Sequence, residues 1–388
     1  MIEYPGPYAV GISQIEIPAT PDDYGLLGSI FYPATRSDAV AKSKWLLGPP
    51  SFYAMGYGDY GKFPYWFNKL LSHPLNAIRM PALKDAPPAI IEGKFPVAIF
   101  CHGLAGNQTT YSTFCGSLAS HGIVVLSIEH RDGSASITGK NNYAETIKYF
   151  PYPEPLEEAR ILRQTQLAQR VIEVKTAYFL LETLATSTTP TPNLIPSMQT
   201  PLFTDKLDMT TAILIGHSFG GATALTVLQD TTWAPFTAGV ILDPWMWPMP
   251  SFSAISVPII CINSETFHWR KNIAEFRQVW DKYSPATASR NKFAVVKSTG
   301  HQDVSDLPSF VYGTAKFFTK MGQPPHIVMA AYDVSVSKWI STILGGQNKI
   351  LADIRNKSNK KNRVDEDIIL YDDDAFGLLD KVMREDWK

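Results

Sequence analysis

Thr211-Ala212-Ile213-Leu214-Ile215-Gly216-His217-Ser218-Phe219-Gly220-Gly221-Ala222-Thr223 is the stretch that decides the fold. It opens with an apolar run that does not alternate, as a strand buried on both faces requires. Gly216-His217-Ser218-Phe219-Gly220 then fits G-x-S-x-G, and a helix-like stretch from Thr223 to Gln229 follows. Strand before and helix after separate a nucleophile elbow from a chance match. The turn is so tight that Gly216 and Gly220 must lack side chains, and Gly221 and Ala222 extend the small run where helix passes strand. Ser218 then sits at a helix N-terminus whose dipole favours developing negative charge. We read it as a nucleophile rather than as part of a small-residue turn.

Outward from the elbow, further short apolar runs occupy residues 95–101, 122–128, 239–242, 257–262 and 292–296. Helical patterns separate them: residues 110–120, closed by His121-Gly122, and 156–184, with Leu167, Val171, Val174, Tyr178 and Leu181 along one face. Alternation of this kind predicts a mostly parallel sheet with helices on both faces, the α/β-hydrolase fold. Residues 13–17 and 28–32 are expected to pair as antiparallel strands at the sheet edge. Pro190, Pro192, Pro196 and Pro201 mark residues 186–204 as an extended connection.

Two segments stand outside the alternation. Residues 52–80 carry Phe63, Tyr65, Trp66, Phe67, Leu70, Leu71, Leu75 and Ile78 among Lys62, Lys69 and Arg79, a candidate lid or interfacial segment that Pro74 should keep from forming a long helix. Beyond about Ile327 the chain turns helical and then charged, basic over residues 355–363 and acidic over 365–374. The expected organisation is one hydrolase domain over residues 1–345 and a charged extension over 346–388.

The 388 residues exceed the usual single-domain length of about 150, so one domain with lid and tail additions competes with two domains. A formal net charge of -1 provides no field for polyanions, which argues against nucleic acid as a partner. Cys101, Cys115 and Cys261 are odd in number and two lie in apolar runs, so they read as buried thiols rather than a disulfide framework. The first residues show neither the basic nor the apolar region of a signal peptide, and no run approaches the ~18 apolar residues of a membrane span. A cytoplasmic location, with possible peripheral contact at membranes, is the expectation. No ligand cluster has metal spacing, and no cofactor is implied.

A serine hydroxyl needs a base. In this fold the partners follow the serine in the order acid, then histidine. His301, in Ser298-Thr299-Gly300-His301-Gln302 just after a strand, is the candidate base; His268 lies in an aromatic stretch and His326 in a connector. Two acids compete at this stage. Asp243 ends one apolar run and Glu265 follows the next, and many hydrolases of this fold take the acid from the later position. Asp303 and Asp306 read as groups that cap or solvate the histidine loop. The oxyanion hole calls for two N–H donors, Phe219 after the nucleophile and Leu104 in His102-Gly103-Leu104-Ala105-Gly106.

Three blocks carry a family resemblance. The first is His102-Gly103-Leu104 with Leu118-Ala119-Ser120-His121-Gly122 and Glu129-His130-Arg131-Asp132-Gly133-Ser134-Ala135-Ser136; the second is Gly216–Thr223. The third is Leu242-Asp243-Pro244-Trp245-Met246-Trp247-Pro248 with Ile262-Asn263-Ser264-Glu265 and Gly300-His301-Gln302. In order and spacing, from roughly residue 40 to 345, the chain resembles the platelet-activating-factor acetylhydrolases of the plasma and intracellular type II kind, calcium-independent lipoprotein-associated phospholipases. The resemblance implies Asp243 as the acid, Leu104 and Phe219 as the oxyanion donors, an interfacial helix within residues 66–78, and hydrolysis of short or oxidatively shortened sn-2 acyl groups of phospholipids. Pro244 departs from the family's small residue after the acid, and the charged tail has no counterpart. The Glu129–Ser136 block reads as a charge-paired brace rather than as a catalytic element. Two other readings remain: a broad carboxylesterase or polyester hydrolase on the same elbow, and an inactive binding protein on a hydrolase scaffold. Oligomeric state is not readable from the sequence.

Overall fold

A computed structural model describes residues 1–49, 51–188, 203–233, 235–310, 322–358, 368–372 and 375–378. The proline-rich connection at 189–202 and much of the charged tail fall outside these residues.

Eleven strands form one sheet in the order β13-β12-β11-β10-β9-β5-β6-β2-β1-β4-β3. Its parallel heart is β5 (Phe95–Cys101), β6 (Val124–Glu129), β9 (Leu207–His217), β10 (Ala238–Leu242), β11 (Ile259–Ser264) and β12 (Lys292–Val296). All six expected runs are strands. Successive residues of β5 serve opposite cores: Val97, Ile99 and Cys101 face one, Ala98 and Phe100 the other. Burial on both faces is why these runs show no polar alternation. One layer holds α4 (Leu156–Thr186) and α5 (Phe219–Leu228); the other holds α3 (Ser112–Ser120) and the helix Pro325–Leu344.

The structure corrects several expectations. β1 (Ala9–Ile17) and β2 (Leu26–Ala34) do pair antiparallel, but they are not the edge, because β4 (Arg79–Lys84) and β3 (Lys42–Lys44) lie outside them. Helix α5 starts at Phe219, directly after the serine, rather than at Thr223. Residues 52–77 form a helical hairpin, α1 (Phe52–Tyr60) and α2 (Tyr65–Ala77), so close that a Cβ at Gly58 would strike Asn68. Helix α2 runs through Pro74, which lies one turn from its end and removes only the bond to the Leu70 carbonyl.

Part of the chain beyond residue 345 packs against this sheet. With α6 (Arg270–Trp280), α7 (Pro285–Ala288) and α8 (Pro325–Leu344) numbered in turn, α9 (Lys349–Ser358) packs on α8 and reaches β5. Strand β13 (Ile369–Tyr371) pairs antiparallel with β12, and Phe376 stacks on Phe293 at 4.1 Å. Among the described residues α8 alone is long and apolar enough to cross a membrane, contrary to the expectation of no such run; most of it is buried against α3, α9, β11 and β12.

Candidate active site

β9 delivers the chain into a turn where Ser218 holds φ 57° and ψ −116°, strained geometry for a residue with a Cβ. Two glycines make it possible. A Cβ at Gly216 would collide with the Gly220 carbonyl, and one at Gly220 with the Cys101 carbonyl of β5. The Ser218 N–H bonds to the Leu242 carbonyl (2.9 Å), which ties the turn to the end of β10.

Three strand ends then bring the reacting groups together. His301, in the loop after β12, has Nε2 2.9 Å from Ser218 Oγ and Nδ1 3.1 Å from Asp243 Oδ2. The Ser218 hydroxyl can donate to Nε2 while Nδ1–H donates to the carboxylate. Asp243 is buried and itself held: its Oδ1 accepts from the Ser264 N–H (2.6 Å) and its Oδ2 from the Ser264 hydroxyl (2.7 Å). Glu265, the competing acid, accepts instead from the Ser298 N–H and so braces the histidine loop. The choice falls to Asp243 because β10, not β11, neighbours β9 in the sheet. Pro244 does not disturb this geometry: the Asp243 N–H bonds to the Ile262 carbonyl at 3.0 Å.

Asp303 and Asp306 hold the loop, as expected. Asp303 accepts from the Gly300 N–H (2.7 Å). Asp306 binds the N-terminus of α3 through the Ser112 N–H (2.9 Å) and Thr113 N–H (3.0 Å), and also takes the Trp45 indole N–H (2.9 Å). Burial pushes its carboxyl pKa up, and those donors counter the shift.

Two other rings lie against that of His301. Phe267 stacks face to face on it at 3.9 Å, and the His217 ring lies 4.6 Å away. Sequence reasoning set the neighbouring His268 aside as part of an aromatic stretch and passed over Phe267. His217 accepts or donates at Nδ1 with the Tyr111 hydroxyl (2.7 Å), while its Nε2 has no hydrogen-bond partner and stands 4.0 Å from Asp243. Burial, then the His301 charge, drives its pKa well below the usual histidine value, so it stays neutral. His217, Asp243 and His301 bring ligand-type atoms within 4.8 Å of one another. Both nitrogens of His301 are already engaged by Ser218 and Asp243.

The two candidate oxyanion donors, Leu104 and Phe219, have their N–H groups unclaimed among the described residues. Gly103 is close enough that a Cβ on it would lie 3.0 Å from the Ser218 Cβ. Beneath runs the Glu129–Ser136 block, which is a brace. Arg170 of α4, fully buried, donates to Asp132 (2.9 Å), the His102 carbonyl (2.7 Å) and the Ser134 hydroxyl (2.6 Å), and its guanidinium covers the Phe219 ring at 4.2 Å. Glu173 takes the Arg131 N–H (2.8 Å) and pairs with His130. Arg163, Gln166, Arg170 and Glu173 recur at helical spacing among the apolar residues of α4, a signal that this face buries a polar network.

A family model described as platelet-activating factor acetylhydrolase, isoform II, matches residues 1–337. The chain belongs to this acetylhydrolase family. A curated platelet-activating factor acetylhydrolase of Canis lupus familiaris is 32% identical over 321 residues, which cover 80% of this chain and 68% of that one. One from Gallus gallus is 28% identical over 339 residues, 82% of this chain and 77% of the relative. A protein of Schizosaccharomyces pombe named putative phospholipase A2 is 27% identical over 331 residues, covering 72% and 74%. Among solved structures, a ferulic acid esterase from Streptomyces cinnamoneus superposes with a TM-score of 0.65 over 94% of this chain and 96% of that one, at 16% identity. That likeness shows the fold, an α/β-hydrolase shared by this acetylhydrolase family member.

Two features lie beside the family site. Trp245, whose N–H bonds to the Ser218 carbonyl (3.0 Å), packs on Phe219 (5.6 Å) and stacks on Trp247 (5.5 Å), and Tyr152 touches both tryptophans. On α1–α2, Phe63, Tyr65, Trp66 and Leu70 are exposed, Trp66 by 68%, with exposed Lys62, Lys69 and Arg79 around them.

Proposed function

We propose that this protein is a calcium-independent serine esterase that cleaves the short or oxidised sn-2 acyl ester of phospholipids such as 1-alkyl-2-acetylglycerophosphocholine. One observation carries the reading: His301 stands within hydrogen-bond reach of Ser218 on one side and Asp243 on the other. His301 takes the Ser218 proton as Oγ attacks the carbonyl, and Asp243 stabilises the imidazolium. The Leu104 and Phe219 amides receive the oxyanion, His301 returns the proton to the departing lysophospholipid, and water releases the acyl group by the same steps. The names of the relatives support the lipid substrate, and the Trp245–Trp247–Tyr152 wall offers it apolar contact. The free, buried Cys101, Cys115 and Cys261 are what a reducing compartment permits and support a cytoplasmic location.

The test is labelling by a fluorophosphonate probe followed by turnover of a lipid panel with a calcium chelator present. The expected result is an adduct on Ser218 and preference for short sn-2 chains over long ones and over simple nitrophenyl esters. Absence of the adduct favours an inactive scaffold; equal use of all esters favours a general carboxylesterase.

The aromatic face of α2 is the proposed contact with lipid surfaces, aromatic and aliphatic tips entering the interface while Lys62, Lys69 and Arg79 meet anionic headgroups. Trp66→Ala with Leu70→Ser should weaken co-sedimentation with phosphatidylcholine vesicles containing phosphatidylserine at least fivefold and leave hydrolysis of a soluble short-chain ester unchanged. Unaltered vesicle binding rules this surface out.

A further inference from the structure

The Leu104 N–H belongs to the same peptide unit as the Gly103 carbonyl. Across a trans peptide the two point in opposite directions, so whatever holds the carbonyl aims the N–H. Two donors hold it: the Gly106 N–H at 3.2 Å and Nδ1 of His102 at 2.7 Å. On its other side, Nε2 of His102 receives the His130 N–H at 3.1 Å. A carbonyl oxygen only accepts and a backbone amide only donates, so these partners assign the tautomer: Nδ1 carries the proton and Nε2 offers its lone pair.

We propose that His102, held as this neutral tautomer, is a positioning residue that aims the Leu104 N–H at the oxyanion. The assignment rests on the reading of Ser218 and Leu104 given above and goes beyond it by naming what orients the donor. Three further observations agree. The ring is fully buried, and burial together with the Arg170 charge drives its pKa well below the ordinary histidine value, so a second proton, which would break the bond from His130, is excluded. The His102 carbonyl is clamped by Arg170 at 2.7 Å, which fixes the backbone from which the ring projects. The loop must also turn sharply past the ring, as φ of +59° at Ala105 and its N–H bond to the Ser134 carbonyl (2.8 Å) show. Positioning of this kind acts on the transition state, because the oxyanion exists only there.

The experiment compares His102→Asn, His102→Gln and His102→Leu with Ser218→Ala in the full chain, measuring kcat and KM on a short-chain sn-2 ester and the affinity for a trifluoromethyl ketone, whose adduct with the serine carries an oxyanion. Asparagine can place an N–H near the Nδ1 position, and glutamine sets its amide out toward Nε2. His102→Leu should lose about 10²-fold in kcat with KM within about twofold, the scale of losing one oxyanion donor, and the ketone should weaken in parallel. His102→Asn should recover to within about tenfold of the parent, while His102→Gln stays near His102→Leu. Should His102→Leu fail to fold, the Asn–Gln pair decides alone. A loss confined to KM, ketone affinity that does not follow kcat, or equal activity of the Asn and Gln variants overturns the proposal. Turnover that survives in Ser218→Ala defeats the functional reading itself; a dead Ser218→Ala beside fully active His102 variants defeats only the role given to His102.

Discussion

The described residues hold two Ser–His–Asp clusters, and they differ in which residue stands in the middle. At the strand ends, His301 lies between Ser218 and Asp243. Between α3 and α8, Asp333 lies between Ser117, whose hydroxyl donates to it, and His121, whose Nε2 is 3.0 Å away. The serines are almost equally covered, at 8% and 7% exposure, so burial does not distinguish them. Order does. With imidazole in the centre, the hydroxyl proton has a base to go to; with carboxylate in the centre, the hydroxyl is spent as a donor and the histidine never meets it. The His301 side chain is also 24% exposed where that of His121 is 1%, so substrate can reach only the first. The same three residue types make the proposed reactive centre in one place and a structural clasp between two helices in the other.

The largest expected contrast is between the serines. Ser218→Ala should lower kcat by about 10⁴-fold or more with the melting temperature unmoved, while Ser117→Ala should keep full turnover per folded molecule and melt several degrees lower. Loss of turnover in both would mean that the second cluster also feeds the reaction. The acids come next. Asp243→Asn should cost about 10³–10⁴-fold in kcat through the wrong histidine tautomer; Asp333→Asn should leave kcat alone and cost about 1–3 kcal/mol in urea unfolding by leaving a buried group unpaired. Matched stability losses without a kinetic difference would erase the distinction.

The smallest effect is in pH. Burial, with the nearby Asp132 charge, pushes Glu173 up to about 8. Its folded form then keeps a proton that the unfolded chain gives up near 4.5, so stability declines as pH rises and the decline ends above about 8. Over the neutral range the parent should therefore lose stability as pH rises, and Glu173→Gln, a neutral mimic, should flatten that slope. A slope that survives the substitution removes Glu173 as its source.

The parallel heart and the elbow were legible because a doubly buried strand and a turn that tolerates no Cβ leave strong local marks. His301 was legible for the same reason, being a histidine just past a strand. The acid was not legible from position alone and came only from the family resemblance, since Asp243 and Glu265 both end adjacent strands and only strand order, a long-range fact, separates them. Phe267 escaped because stacking depends on how the loop after β11 folds back over the loop after β12. β4 was hidden at the end of a segment dominated by aromatic residues, β3 by its length of three residues with a lysine at each end, and β13 by the acidic residues around it. Arg170 was written into the buried face of α4, where an apolar stripe drew the reading away from a charge.

Strand β13 has a practical reach beyond its three residues. While it lies along β12, the edge of that longer strand is paired and the sheet ends on a strand of only three residues. A chain trimmed before Ile368 would bare the main-chain donors and acceptors of Ala294, Val295 and Val296 and uncover Phe293 beneath Phe376. Such a rim invites a second molecule to add its own strand, so shortening the tail should turn a well-behaved protein into one that self-associates as its concentration rises.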